Sequence, residues 1–130
     1  EAMEMLGEVG IHTHAKEYAA TLSGGQRKLL ELARALMTRP RLVLLDEPAA
    51  GMSDEEVMRT AKLIGAINQS CALVVVEHDM EFIRQIARKV TVLHQGSILK
   101  EGRIDDVQRD PKVIEVYLGR SRDEQGADHA

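Results

Sequence analysis

The sequence predicts an α/β fold with parallel strands, on three observations. Two uninterrupted apolar runs, LVLL from Leu42 and CALVVV from Cys71, have the length of strands and the character of strands buried on both faces under helices. Segments with apolar residues at helical spacing lie before, between and after them. Towards the end, KVTVLHQGSILKEG holds two β-rich runs joined near Gln95-Gly96, which predicts an antiparallel hairpin at the edge of the sheet.

Taken in order, the chain opens at EAMEMLGEVGI, already inside an amphipathic pattern with Met3, Leu6 and Val9 on neighbouring faces, and so reads as the continuation of a helix begun earlier. Residues 10–21 suit a loop with a short helical piece. Ser23 is a helix cap, after which Leu29, Leu30, Leu32, Ala33, Leu36 and Met37 recur at helical spacing until Arg39-Pro40, where proline ends the helix. From Ser53 to about Gln69 a second helix carries Val57, Ala61, Ile64 and Ile67 as its stripe. Asp54, Glu55 and Glu56 fill its first turn, where carboxylates favour the helix dipole. A third helix runs from Asp79 to about Arg88, with Phe82, Ile83, Ile86 and Ala87 inward. PKVIEVYLG is a short last helix, and SRDEQGADHA has no periodicity and reads as a disordered tail.

Composition narrows the class. The chain has 130 residues, 44% apolar and 29% charged, enough for one globular domain with a core, and an aromatic fraction of only 2% makes that core aliphatic. A net charge of −4 without a dense Lys/Arg block disfavours nucleic acid as a partner. The single cysteine, Cys71, can form no internal disulfide and suits a buried strand position in a cytosolic chain. No apolar run is long enough to span a bilayer, and no signal peptide is visible.

Three clusters carry chemistry. Ser23-Gly24-Gly25-Gln26 stands at a helix N-terminus, where unpaired N–H groups and the helix dipole attract an anion and glycines let a phosphate come close. Read alone, S-G-G is as well a plain cap with a flexible lead-in. LVLLDE ends an apolar strand in two adjacent carboxylates, which at the carboxyl end of a parallel strand face the crevice where ligands bind. Asp46 could hold Mg²⁺ through water, since this hard cation prefers oxygen and keeps several waters. Glu47 could reach a water poised to attack a phosphate. The alternative is an acidic, solvated turn. Glu77-His78-Asp79 ends the other apolar strand at the same predicted edge. There His78 could donate a hydrogen bond to a terminal phosphate, or be structural, with Asp79 only the cap of the next helix. The loop that normally cradles a nucleotide's phosphates, G-x-x-x-x-G-K-[ST], is absent, because no Gly in the sequence is followed by Lys.

In this order the motifs resemble the ATP-binding subunit of ABC transporters, over residues 1 to about 119. TLSGGQRKLLELARAL is similar to that family's signature, LVLLDEP to its Walker B strand, AAGMSDEE to its D-loop and VVVEHD to the segment of its switch histidine. The resemblance implies that Ser23, Gly24, Gly25 and Gln26 contact the γ-phosphate of ATP held by a facing subunit. It further implies that Asp46 serves Mg²⁺, that Glu47 is general base or water-positioner, and that His78 senses the γ-phosphate. Ser53 stands where the family's D-loop usually has aspartate. The fold implied is a partial P-loop NTPase core without its phosphate loop. Residues 1–38 would close the helical subdomain and 39–119 form the C-terminal part of the ATPase core, before a tail at 120–130. The family's phosphate loop, adenine-stacking aromatic and Q-loop lie upstream of the point where this chain begins, so the sequence reads as truncated.

EPAAGM, EHDMEFI and VIEVYLG are similar to subunits that drive uptake of branched-chain amino acids and of urea. That likeness implies a cytoplasmic subunit, peripheral on the inner face of the plasma membrane, working with a second ATP-binding subunit and membrane permeases. A YLG-type ending also resembles the lipopolysaccharide-export ATPase. An inactive interaction fragment is a further alternative, as is a DNA-repair or chromosome-structure ATPase head, whose long heptads and basic surfaces are missing here.

Overall fold

A computed structural model describes residues 1–118, and the predicted disordered tail lies outside them. The chain divides into two compact units, Glu1–Ile86 and a second beginning at Ala87.

In the first unit, α1 (Ala2–Glu8) leads through single 3-10 turns at His12–His14 and Ala19–Thr21 to α2 (Gly24–Leu36). Helix α2 starts where it does because Ser23 and Gln26 form a capping box: the Ser23 hydroxyl accepts from Gln26 N–H and the side-chain Oε1 of Gln26 accepts from Ser23 N–H. Its apolar stripe buries Ala33 with Val9 and Ile11, and Leu32 with Val43 and Ile67. The helix gives out before Arg39, which adopts φ +51° immediately ahead of Pro40.

Strand β1 (Leu42–Asp46), helix α3 (Asp54–Ile67) and strand β2 (Ala72–Val76) form a β-α-β unit. The strands are parallel and in register from Leu42 opposite Ala72 to Asp46 opposite Val76. A second capping box, Ser53 with Glu56, fixes the start of α3. In α4 (Met80–Ile86), Asp79 Oδ1 accepts from Glu81 and Phe82 N–H at 2.9 and 3.1 Å. Phe82 is wholly buried and packs with Ala49, Ala61 and Ile64 against Leu45, Leu73 and Val75. Burying a side chain of this size stabilises by about 1.5–3 kcal/mol.

Two expectations need correction here. The apolar runs are covered on one face only: Val43 is buried while Leu44 is 70% and Val76 60% exposed, because α3 and α4 pack on a single side of the strand pair among the described residues. Cys71 is half-buried and lies one residue before β2, its thiol near the Ile67 carbonyl rather than inside the strand.

The second unit is built on β3 (Val90–His94) and β4 (Ser97–Gly102), the predicted antiparallel hairpin. Gln95 and Gly96 both have positive φ, +48° and +77°, the turn that matches strand twist and that glycine adopts without steric cost. Instead of lying at the edge of the sheet, the hairpin is a two-stranded sheet of its own, since β1 and β2 pair only with each other among the described residues. Helix α5 (Ile104–Arg109) and the short α6 (Pro111–Val113), which continues as a wider turn over Ile114–Leu118, bury Val107 and Val113 against the hairpin.

Charges fasten this unit. Lys89 and the Thr91 hydroxyl both donate to the Glu101 carboxylate at 2.7 Å, and hold it below its ordinary pKa. Desolvation pushes Asp110 upward. Hydrogen bonds from Lys100 and from the Lys112 and Val113 N–H groups outweigh that and leave its pKa lowered.

Candidate functional site at the carboxyl edge of the parallel strands

Parallel pairing brings the ends of β1 and β2 to one edge. Asp46 is opposite Val76, and Glu47 N–H donates to the Val76 carbonyl at 2.8 Å, so Glu47 and His78 leave neighbouring strands side by side. The His78 Nδ1 lies 3.2 Å from Glu47 Oε1. A carboxylate only accepts, so Nδ1 is the donor in this pair and Nε2 is left for another partner. Both side chains are open to solvent, 75% for His78 and 51% for Glu47. Glu47 stands at φ +45°, in the left-handed region that costs a non-glycine residue free energy.

The strained turn is tied from two directions. Lys28, one turn into α2, donates to the Glu47 carbonyl at 2.7 Å and to the Ala50 carbonyl at 3.0 Å. From the other side, the buried Glu77 carboxylate accepts from Ala49 N–H at 3.2 Å and from His78 N–H at 3.1 Å. Sequence reading missed both clasps.

The N-terminus of α2 meets that of α3. Gly25 is buried, and a Cβ built there would stand 3.1 Å from Glu56 Oε1, whereas Gly24 is exposed with open space around it. Of the four signature-like residues, Ser23 and Gln26 spend their side chains on the capping box, and the Gln26 amide nitrogen also meets His14 Nε2 at 3.0 Å. The N–H groups of Gly24 and Gly25, in the first turn, have no intrahelical acceptor and are the groups suited to an anion. Ser53 caps α3 with its hydroxyl and backbone. Asp46 is exposed at the strand end. No group of three or more His, Cys, Asp or Glu side chains gathers for a metal among the described residues. The hard oxygens of Asp46 are of the kind that suit Mg²⁺ held through water. Two clefts among the described residues lie at the amino ends of the strands, near Arg41 and Cys71, away from this edge, where Asp46, Glu47 and His78 are exposed.

Known proteins resemble this chain over most of its length. The family model described as ABC transporter matches residues 1–50, and that described as branched-chain amino acid ATP-binding cassette transporter matches residues 101–123. The chain is 38% identical over 127 residues to the high-affinity branched-chain amino acid transport ATP-binding protein BraF of Pseudomonas aeruginosa, covering 93% of this chain and 50% of that one. It is 33% identical over 122 residues to LivG of Escherichia coli, with 92% and 48% covered. Among solved structures, MJ1267, an ATP-binding cassette of an ABC transporter, superposes with a TM-score of 0.82 at 31% identity, over 89% of this chain and 48% of that one. The chain spans about half the length of these relatives.

Proposed function

As the chain belongs to the ATP-binding family of ABC transporters, we propose that it supplies the signature and hydrolytic edge of a subunit that powers an importer. The observation that carries this reading is the 3.2 Å pairing of Glu47 with His78, at the strand edge to which Lys28 ties the capped helix α2. Relatives named for branched-chain amino acid transport, together with the match over residues 101–123, favour that solute class over urea. The solute itself is selected by other subunits. The subunit would work on the inner face of the plasma membrane beside permeases; no described helix is long and apolar enough to cross it.

On this reading Glu47 orients a water molecule and takes its proton as the water attacks the γ-phosphate. His78, its Nδ1 proton held by Glu47, presents Nε2 to the terminal phosphate, which that nitrogen can contact as a donor when the ring carries its second proton. Ser23 and Gln26 hold the start of α2 rigid, so that Gly24 and Gly25 N–H can close on ATP bound by the facing subunit. Asp46 would hold Mg²⁺, which neutralises charge on the phosphates. Residues 1–38 then finish the helical subdomain and 39–119 the later part of the core. Without G-x-x-x-x-G-K-[ST] in its own sequence, the 130-residue chain assayed alone should not turn over ATP.

The test uses an ATP-binding subunit that joins this chain to a phosphate loop. Glu47→Gln should cut hydrolysis by about 10²–10⁴-fold while ATP still binds and drives dimerisation. Adding Gly24→Asp, where space is open and folding is spared, should abolish that dimerisation. Hydrolysis that survives Glu47→Gln, or ATP-driven dimers that survive Gly24→Asp, would return these residues to an acidic turn and a helix cap.

A further inference from the structure

We propose that Glu77 is the positioning residue that sets Glu47 and His78 against each other, an inference that rests on the ATPase reading above. The Glu77 side chain is 3% exposed, although it sits beside two solvent-open groups. A carboxylate is buried at a cost unless hydrogen bonds compensate it, and here one oxygen accepts from Ala49 N–H and the other from His78 N–H. Ala49 belongs to the turn leaving β1, and His78 to the chain leaving β2. One side chain therefore clasps both exits, beyond the last strand pairing at Asp46 and Val76.

The clasp acts where the strands no longer do. The bond from Glu47 N–H to the Val76 carbonyl is the end of sheet-like contact, after which Glu47 turns to φ +45°. From there, the two exits are held by Glu77 through the amides and by Lys28 through the Glu47 and Ala50 carbonyls. Lys28 touches only the β1 exit. Glu77 touches both, so the separation of the Glu47 carboxylate from the His78 ring depends on it. An amide at position 77 offers one acceptor oxygen and opposes the second N–H with its own NH₂ group. The two exits could then shift relative to each other while the apolar core of the unit stays packed.

The experiment is a double-mutant cycle in the complete ATPase subunit containing this chain. Glu77→Gln should lower kcat about 10- to 100-fold, the scale of a misplacement of about 1 Å at a reacting centre, with the KM for ATP little changed. In a His78→Ala background the same substitution should cost much less, because the geometry it protects is already gone. The amide resonances of Ala49 and His78 should shift together in Glu77→Gln. If Glu77→Gln does not fold, Glu77→Asp, one methylene shorter, takes its place in the cycle. A wild-type kcat in the folded variant, or a loss that multiplies in full with that of His78→Ala, overturns the proposal. Absence of hydrolysis in the parent subunit, or indifference to Glu47→Gln, overturns instead the ATPase reading on which it rests.

Discussion

The strand edge in the unit ending at Ile86 and the hairpin in the unit beginning at Ala87 use ionisable side chains differently, although the first unit also holds the ion pairs Arg39–Glu1 and Arg59–Glu55 and Asp110 of the second also accepts from backbone N–H groups. In the first, Glu77 and Lys28 bond to main-chain atoms of the turn that carries Glu47. In the second, Lys89 meets Glu101 and Lys100 meets Asp110, charge against charge across the hairpin and its following helices. A side chain spent on backbone fixes the path of the chain and leaves neighbouring carboxylates and rings free to act. A side-chain ion pair satisfies itself and leaves nothing poised. On the function proposed above, the difference separates an edge that positions chemistry from a hairpin that holds shape.

Three substitutions probe that division. The largest effect should come from Phe82→Ala, which empties the centre of the first unit's core and should cost about 3–5 kcal/mol in urea unfolding followed by circular dichroism. A loss below about 1 kcal/mol would mean that the polar clasps, not the apolar core, sustain this unit. Lys28→Met keeps the stem and removes the donor; because the contact is exposed, about 1 kcal/mol should be lost, with turnover of the complete subunit falling disproportionately. Equal sensitivity of stability and turnover would reduce Lys28 to an ordinary tether.

The smallest effect is expected from acid on the second unit. Glu101 and Asp110 have lowered pKa values in the folded state, so their contribution is complete above the ordinary carboxylate range and is lost as pH falls through that range and below it. Melting of the hairpin, read from the resonances of Thr91 and Lys100, should move to lower temperature on acidification. Lys89→Met should blunt that shift. A hairpin indifferent to both would show that Val107 and Val113 hold it without the charges.

Much of this was legible in the sequence because its signals are local. Ser23 with Gln26 and Ser53 with Glu56 obey the spacing of a capping box, and both helices begin where those residues place them. LVLLDE and VVVEHD each end an apolar run in polar groups, and parallel register was enough to bring Glu47 to His78. Glu77 escaped notice since a carboxylate next to His78 and Asp79 looks like one more solvated charge. Only the fold reveals that the Ala49 amide is waiting for it. Lys28 was hidden for the same reason, its partners being carbonyls far along the chain, which follow no period. The one-sided burial of Leu44 and Val76 was illegible because a run apolar at every position states what each face tolerates, not what covers it.

The positive φ of Glu47 sets two demands on one position at odds. Glycine there would relax the backbone, and selection for robustness alone would drift towards it. On the proposed role of Glu47, a working lineage instead retains a carboxylate in a conformation that disfavours it. Engineering this chain for heat tolerance should accordingly treat residue 47 as closed and seek its gains elsewhere, for instance on the exposed surface of α3.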